Sequence, residues 1–153
     1  MRTAHLKLAL SPAEFAAPTQ RNEKAGIPAI SVIGLGYVGA VSTACFGKRG
    51  HRVVGVDLDE RKVDLINQGR GPLVEASLDE YLTEGVKDGR VSAMTSALGA
   101  IMATDITFIC VGTPSSEDGS VNLGALKAVA RDIGLCLKTK DQYHLVEIGR
   151  AHV

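Results

Sequence analysis

Gly34, Gly36 and Gly39 stand at the spacing G-x-G-x-x-G in the run Gly34-Leu35-Gly36-Tyr37-Val38-Gly39. Positions without side chains at that spacing suit the binding of a diphosphate. The first permits a tight turn out of a strand, and the second lets backbone approach the pyrophosphate. The third lets the following helix pack closely on the strand. Amide hydrogens at the start of that helix then face the phosphates, aided by the helix dipole. By itself the motif also describes a glycine turn with no ligand. A second residue narrows the reading: Asp57 closes the next β-branched run, 18 residues after Gly39. A carboxylate there can accept hydrogen bonds from the adenosine ribose and would repel the extra phosphate of NADP, so the pair predicts NAD. Asp57 could instead cap the helix that follows, but Asp59 can do that without it. Arg61 and Lys62 could meet a 2′-phosphate; with Asp57 at the discriminating position they are expected to flank the adenosine or lie solvated.

The elements that must hold these residues can be read from the pattern around them. Ala29–Ile33 and His51–Val56 are short β-branched runs, each stopped by a turn residue, as in strands buried on both faces. Between them Tyr37–Lys48 reads as a helix, with Val38, Val41, Ala44 and Cys45 at helical spacing. Asp59–Gln68 reads as a second helix, with acidic residues at its positive end and Gly69 past its stop. Ser77-Leu78-Asp79-Glu80 has the pattern of a capping box and opens a helix to about Val86. Arg90–Met94 is a short strand and Ala97–Ala103 a short helix; Asp105–Val111 is a central strand halted by Gly112-Thr113-Pro114. Asn122 caps a helix through about Lys138, with Leu126, Val129, Ile133 and Leu137 on one face, and Tyr143–Val146 begins another strand. Apolar strands alternating with helices predict an α/β domain of the Rossmann type, doubly wound on a mainly parallel sheet.

Composition narrows the function classes. The 153 residues suffice for one domain with a sizeable core. Seventeen basic and 17 acidic residues balance, without the basic excess of a nucleic-acid binder. Aromatic residues are 4%, too few for a base-stacking surface. Apolar stretches such as Phe108–Val111 are too short to span a bilayer, and Met1–Leu10 does not read as a secretory signal. Cys45, Cys110 and Cys136 are odd in number and widely spaced, which suits neither a disulfide framework nor a metal site; all three are expected to be buried packing. A cytoplasmic, reduced protein with no nucleic-acid or membrane partner is the expectation.

Four motifs in order give a resemblance to a known family. They are Val32-Ile33-Gly34-Leu35-Gly36-Tyr37-Val38-Gly39-Ala40-Val41, Gly50-His51-Arg52-Val53-Val54-Gly55-Val56-Asp57, Ile66-Asn67-Gln68-Gly69 with Pro72 and Glu75, and Phe108-Ile109-Cys110-Val111-Gly112-Thr113-Pro114. Together they resemble the amino-terminal NAD-binding domain of the UDP-glucose/GDP-mannose dehydrogenase family. Leu35 with Ala40-Val41 is most similar to the GDP-mannose branch, which makes the uronic acid of alginate. The resemblance implies oxidation of a nucleotide-sugar C6 hydroxyl to a carboxylate with two NAD in turn, on GDP-mannose or UDP-glucose, in a homodimer. It places NAD contacts at Tyr37, Val38, Asp57, Lys62 and Thr113. Thr113 follows the carboxyl end of a central strand, where ligands of open α/β sheets gather, although its hydroxyl could equally close the turn before Pro114. Lys62 by itself would be a surface lysine, and Tyr37 and Val38 matter through their amides.

Three departures qualify the resemblance. The family has Pro-Gly after the Glu matched by Glu75, where this chain has Ala76-Ser77, in a loop the family places near the sugar. The family's nucleophilic Cys, with its Lys and Asn, belongs to a later segment, so no catalytic residue is assigned here and none of the three Cys takes that role. After Val146 the family continues toward Arg-Ser-Thr, whereas this chain reads Glu147-Ile148-Gly149-Arg150-Ala151-His152-Val153. Residues 147–153 are therefore expected to be a non-native tail, resembling translated sequencing adapter, on a truncated chain, with His152 carrying no catalytic meaning. Residues 1–28 are expected to be a poorly ordered extension and 29–146 the NAD-binding domain. Two other classes share part of the pattern. An NAD-sensing regulatory module shares the glycine turn and the acid but has no need of Val111-Gly112-Thr113-Pro114. A methyltransferase using S-adenosylmethionine has no pyrophosphate and less need of Gly39.

Overall fold

The computed structural model describes residues 26–75 and 77–149. Most of the amino-terminal extension, together with Ala76, Ala151 and His152, lies outside the described residues. Five parallel strands form one sheet: β1 (Ile30–Ile33), β2 (Val53–Val56), β3 (Val91–Met94), β4 (Ile106–Ile109) and β5 (Leu145–Ile148). Five helices connect them: α1 (Tyr37–Lys48), α2 (Glu60–Asn67), α3 (Leu78–Lys87), α4 (Ala97–Met102) and α5 (Gly124–Leu137). The strand order is β3-β2-β1-β4-β5. The doubly wound parallel sheet expected from the alternating pattern is thus what forms.

Burial follows position in the sheet. β1 and β2 are buried at every residue, β3 and β4 at alternate ones, and β5 at none. Ile30, Val32 and Val53 face a core built with Ala44 of α1, Val63 and Ile66 of α2, and Leu78 and Leu82 of α3. Ile33, Val54, Val56 and Ile109 face the opposite core, against Ala100 and Ile101 of α4 and Ile133 and Cys136 of α5. Each fully buried Val or Ile contributes about 1.5–3 kcal/mol relative to exposure, so the centre of the sheet is where stability is concentrated.

Several sequence expectations shift. The fully buried residues of α1 are Gly39, Ala40, Thr43, Ala44 and Gly47; of the expected stripe, Ala44 is buried, Val41 packs partly against the core, and Val38 and Cys45 are not buried. Small residues let the helix approach closely: a Cβ at Gly47 would lie 2.4 Å from Val91 Cγ2. Cys45 is consequently exposed and Cys110 half-buried; Cys136 alone of the three is fully buried. Ser77 does not close a capping box. It sits in the left-handed region at φ 61° with no side-chain cap bond, while Asp79 Oδ1 accepts from the Gly71 amide at 2.6 Å. Asn122 acts one residue before the α5 cap position, Leu123, accepting from Gly124 N at 2.9 Å. β5 begins later than expected and runs through Glu147 and Ile148, the first residues assigned above to the tail. Glu147 pairs with Phe108 and Ile148 with Ile109, because ladder bonds are made by backbone whatever the side chain.

Candidate functional site

β1 and β4 pair in register, with Ile33 opposite Ile109, so the turn leaving β1 and the loop leaving β4 depart side by side. The chain first builds outward from β1 to β2 and β3, then crosses to β4 and β5 on the other side. Such a reversal opens a crevice beyond the carboxyl ends of the strands. The glycine turn lies at that point.

Two of the three glycines are required by packing alone. Gly34 has φ +98°, and a Cβ there would lie 2.8 Å from Cys110 O and 2.9 Å from Val111 N. A Cβ at Gly39 would lie 1.7 Å from Gly34 O, closer than any side chain allows. Gly36 differs. Its φ of −74° is open to any residue, and a Cβ there would meet nothing within 4 Å. A side chain at Gly36 would fill only the open space before the first turn of α1. Gly36 caps α1 without a side-chain bond, and the first turn carries no acidic residue. The first amides of an α-helix, here including those of Tyr37 and Val38, have no intrahelical acceptor and carry the positive end of the dipole. Bare backbone at Gly36 and a first turn of α1 without an acidic residue or a side-chain cap suit a diphosphate. Tyr37 is 60% exposed, and its ring is not needed for the packing of α1.

Asp57 follows β2 and is tied directly to this turn. Its Oδ2 accepts from Leu35 N at 2.8 Å and from Lys62 Nζ at 3.1 Å, and its Oδ1 from Asp59 N at 3.0 Å. Burial alone would raise the carboxyl, but the Asp59 and Leu35 amides and the Lys62 ammonium outweigh it and hold it below the ordinary carboxylate value. Asp57 therefore presents a fixed anionic acceptor at the edge of the crevice. Asp59 caps α2 through Arg61 N at 3.0 Å, leaving Asp57 free of that duty. Lys62 reaches back over the first turn of α2 to Asp57, while Arg61 pairs with Asp59 at 3.1 Å and is 89% exposed. The two basic residues thus separate: Lys62 joins the site and Arg61 lies in solvent.

Thr113 is half-buried on the same edge, just beyond the Cys110 backbone that abuts Gly34. The loop after it is closed by Asn122 N donating to Pro114 O at 2.8 Å and by an antiparallel bridge between Ser115 and Val121. Burial pushes the Cys110 and Cys136 thiols up, away from the reactive thiolate. A separate cavity of about 500 Å³ is lined by Arg70, Pro72, Leu73, Glu75, Ser77 and Asp79 and shares no wall with the glycine turn.

Leu35 is the residue that motif reading passes over. It is 0% exposed, and a Cβ at Gly55 would lie 2.9 Å from its Cδ2. Gly55 makes room in β2 for the Leu35 side chain, and the Leu35 amide fixes Asp57. The sequence signal is the glycine inside Val53-Val54-Gly55-Val56, a gap with no turn to explain it.

Comparison with known proteins shows the family of the chain. The profile of the UDP-glucose/GDP-mannose dehydrogenase family, NAD binding domain, matches residues 28–147. The GDP-mannose 6-dehydrogenase of Pseudomonas aeruginosa is 46% identical over 119 residues, 78% of this chain and 27% of that protein. A UDP-glucose 6-dehydrogenase of Haloferax volcanii is 45% identical over 117 residues, 76% of this chain and 27% of its own length. Among solved structures, a ternary complex of GDP-mannose dehydrogenase from Pseudomonas aeruginosa superposes with TM-score 0.77 at 46% identity, covering 78% of this chain and 27% of that one. A UDP-glucose dehydrogenase from Pyrobaculum islandicum gives TM-score 0.77 at 40% identity, over 84% and 30%. The chain thus spans about a quarter of the length of the curated relatives it matches. It belongs to the UDP-glucose/GDP-mannose dehydrogenase family, of which residues 28–147 correspond to the NAD-binding domain.

Proposed function

We propose that the chain is the cofactor-binding part of a nucleotide-sugar 6-dehydrogenase that oxidises the C6 hydroxyl of GDP-mannose to a carboxylate. The observation that carries the reading is the Asp57 carboxylate held on the Leu35 amide, inside the glycine turn and one residue from open Gly36. In this reading the amides of Gly36, Tyr37, Val38 and Gly39 face the diphosphate, with Gly34 setting the turn. Asp57 accepts from the adenosine ribose, Lys62 neutralises and steadies it, and Thr113 lines the crevice toward the nicotinamide end. NAD supplies a hydride acceptor, and two equivalents account for the four electrons between alcohol and carboxylate. In this reading these 153 residues hold the cofactor and do not themselves oxidise sugar; burial raises the Cys110 and Cys136 thiols, away from the thiolate that a nucleophile needs.

UDP-glucose is the alternative substrate, supported by the 45% identity to the Haloferax volcanii enzyme over a similar span. A cytoplasmic homodimer making a uronic acid for polysaccharide, such as alginate, belongs to the same proposal, as does the division of the chain at residues 29 and 146. Among the described residues no helix is long and apolar enough to cross a membrane.

Calorimetric titration of this chain with NAD, NADP and S-adenosylmethionine tests the cofactor site. NAD is expected to bind at least about tenfold more tightly than NADP, with preference lost in Asp57→Asn. Equal affinity for NAD and NADP in the wild type would overturn the assignment of Asp57. The full-length protein is expected to reduce two NAD per GDP-mannose; faster turnover of UDP-glucose would move the substrate to the alternative.

A further inference from the structure

At the opposite end of the sheet a chain of polar groups runs through the interior. Lys140, in the loop between α5 and β5, is 9% exposed. Its ammonium donates to Ile101 O at 2.7 Å, to Thr104 O, and to His144 Nδ1 at 2.8 Å, so three donors meet three acceptors. An Nδ1 that accepts leaves the proton on Nε2, which donates to Thr107 Oγ1 at 2.8 Å. Thr107 Oγ1 lies 2.7 Å from Ser31 Oγ, which reaches Ile106 O at 3.3 Å. Thr104 Oγ1 stands within hydrogen-bond distance of Ser31 Oγ and Ala100 O. Ser31, Thr104 and Thr107 are at most 2% exposed. The chain links the exposed edge strand β5 to β4 and to central β1.

One atom in this chain has two possible partners. His144 Nδ1 lies 2.8 Å from Lys140 Nζ and also 3.1 Å from Thr104 O. Unprotonated, it accepts from the ammonium. Protonated, it can only donate, Thr104 O is the acceptor within reach, and a second cation then stands against the buried Lys140 ammonium. The charged groups facing the imidazole are Lys140, from the α5–β5 loop, and Asp105, from the turn before β4. The β4 and β1 groups it joins, Thr107 and Ser31, are neutral.

We propose that His144 is a proton-operated latch: neutral, it fastens the α5–β5 edge to the sheet through Lys140 and Thr107, and protonated, it releases that edge. The sign follows from the geometry and agrees with the electrostatics. Burial first, and the Lys140 charge second, lower the imidazole from its ordinary value of 6.5, outweighing the Thr104 carbonyl and Asp105. The unfolded chain therefore binds the proton more readily than the folded one. The latch is complete above pH 6.5 and weakens as pH falls from there toward the folded value. This inference is independent of the cofactor reading above.

The test is hydrogen exchange and imidazole titration on the whole chain. Leu145 N donates to Asp105 O and Gly149 N to Ile109 O, so these amides report the edge. Between pH 7 and pH 5 their opening, corrected for intrinsic exchange, is expected to rise by up to about tenfold for each unit of depression of the imidazole. Amides of β1 are expected not to follow. His144→Gln keeps an acceptor for Lys140 without a titrating proton and is expected to lose the pH dependence. Should that variant not fold, nitrogen NMR of wild-type His144 decides alone, with an unprotonated Nδ1 at pH 7 and a midpoint below 6.5 supporting the latch. A protonated Nδ1 at pH 7, a midpoint at or above 6.5, or edge opening that does not change with pH would each overturn it.

Discussion

Beyond the carboxyl ends of β1 and β4 the molecule presents bare backbone at Gly34, Gly36 and Gly39, whereas at the amino end of the sheet long side chains reach inward to cover backbone. There Arg52 donates to Ala103 O and Lys140 to Ile101 O and Thr104 O, so two cations satisfy carbonyls at the carboxyl end of α4. His51 Nδ1 donates to Pro28 O at 2.9 Å, and Asp105 accepts from Ala29 N at 2.8 Å. The α1 N-terminus is left open where a negative ligand is expected, and the α4 C-terminus is closed by the protein's own positive charge. Both arrangements answer the same dipole and the same orphaned backbone groups. One end keeps its backbone available, and the other spends side chains on stability.

The contrast is broken most sharply at the glycines. Gly39→Ala places a carbon 1.7 Å from Gly34 O and is expected to cost more than about 3 kcal/mol, seen as loss of cooperative unfolding in urea. Gly36→Ala, three residues away, meets nothing within 4 Å and has an ordinary φ. Its stability should stay within about 0.5 kcal/mol of wild type. Its affinity for NAD should fall about tenfold or more if the diphosphate approaches Gly36 as proposed. Equal losses of stability in both variants would mean that Gly36 serves packing after all.

At the amino end, Lys140→Met removes the ammonium and leaves Ile101 O and Thr104 O without that donor. The expected cost is about 2–3 kcal/mol in a urea titration at neutral pH. A neutral outcome would show that water reaches those carbonyls and that the end is less closed than its burial suggests.

Asp57→Asn sharpens the comparison from the cofactor side, since Asp57 is the carboxylate that the glycine turn itself holds, through the Leu35 amide. Loss of the charge-assisted bonds from Leu35 N and Lys62 Nζ is expected to cost about 1–2 kcal/mol, discounted because Lys62 is 36% exposed. The wild-type carboxyl is held below its unfolded value of 3.8, so its contribution is present above that pH and lost as pH falls through the folded value. The variant should therefore approach wild-type stability only in acid. A difference between the two that stays constant from neutral pH into acid would assign the loss to shape rather than charge.

How much of this was legible depended on whether a residue's role lies in its own neighbourhood. The glycine turn, Asp57 at the end of β2 and the parallel sheet could be read because each rests on local spacing and on strand after strand of apolar residues. The α1 face could be read only in part: Ala44 and Val41 reach the core as their spacing suggests, but close approach to the sheet and α3 buries Gly39, Ala40, Thr43 and Gly47 and leaves Cys45 exposed. Leu35 was hidden because its partner, Gly55, lies on another strand. Ser31 and Thr107 pair across β1 and β4, and His144 reaches Thr107 only when the segment before β5 lies against β4. Hydroxyls in otherwise apolar strands were the available sign. Their partners were set by topology.

Ser77 offers the smallest effect and the clearest test of a misreading. Its sequence context names it a helix cap, yet its backbone lies at φ 61° and its hydroxyl makes no cap bond to α3. A left-handed serine costs up to about 1 kcal/mol that glycine would not. If the hydroxyl does nothing for the helix, Ser77→Gly should raise stability by about 0.5–1 kcal/mol, read as a higher thermal midpoint at unchanged NAD affinity. A capping serine would give the opposite sign, because its replacement would remove an acceptor from the first turn of α3. The direction of the shift alone thus decides between local pattern and observed backbone.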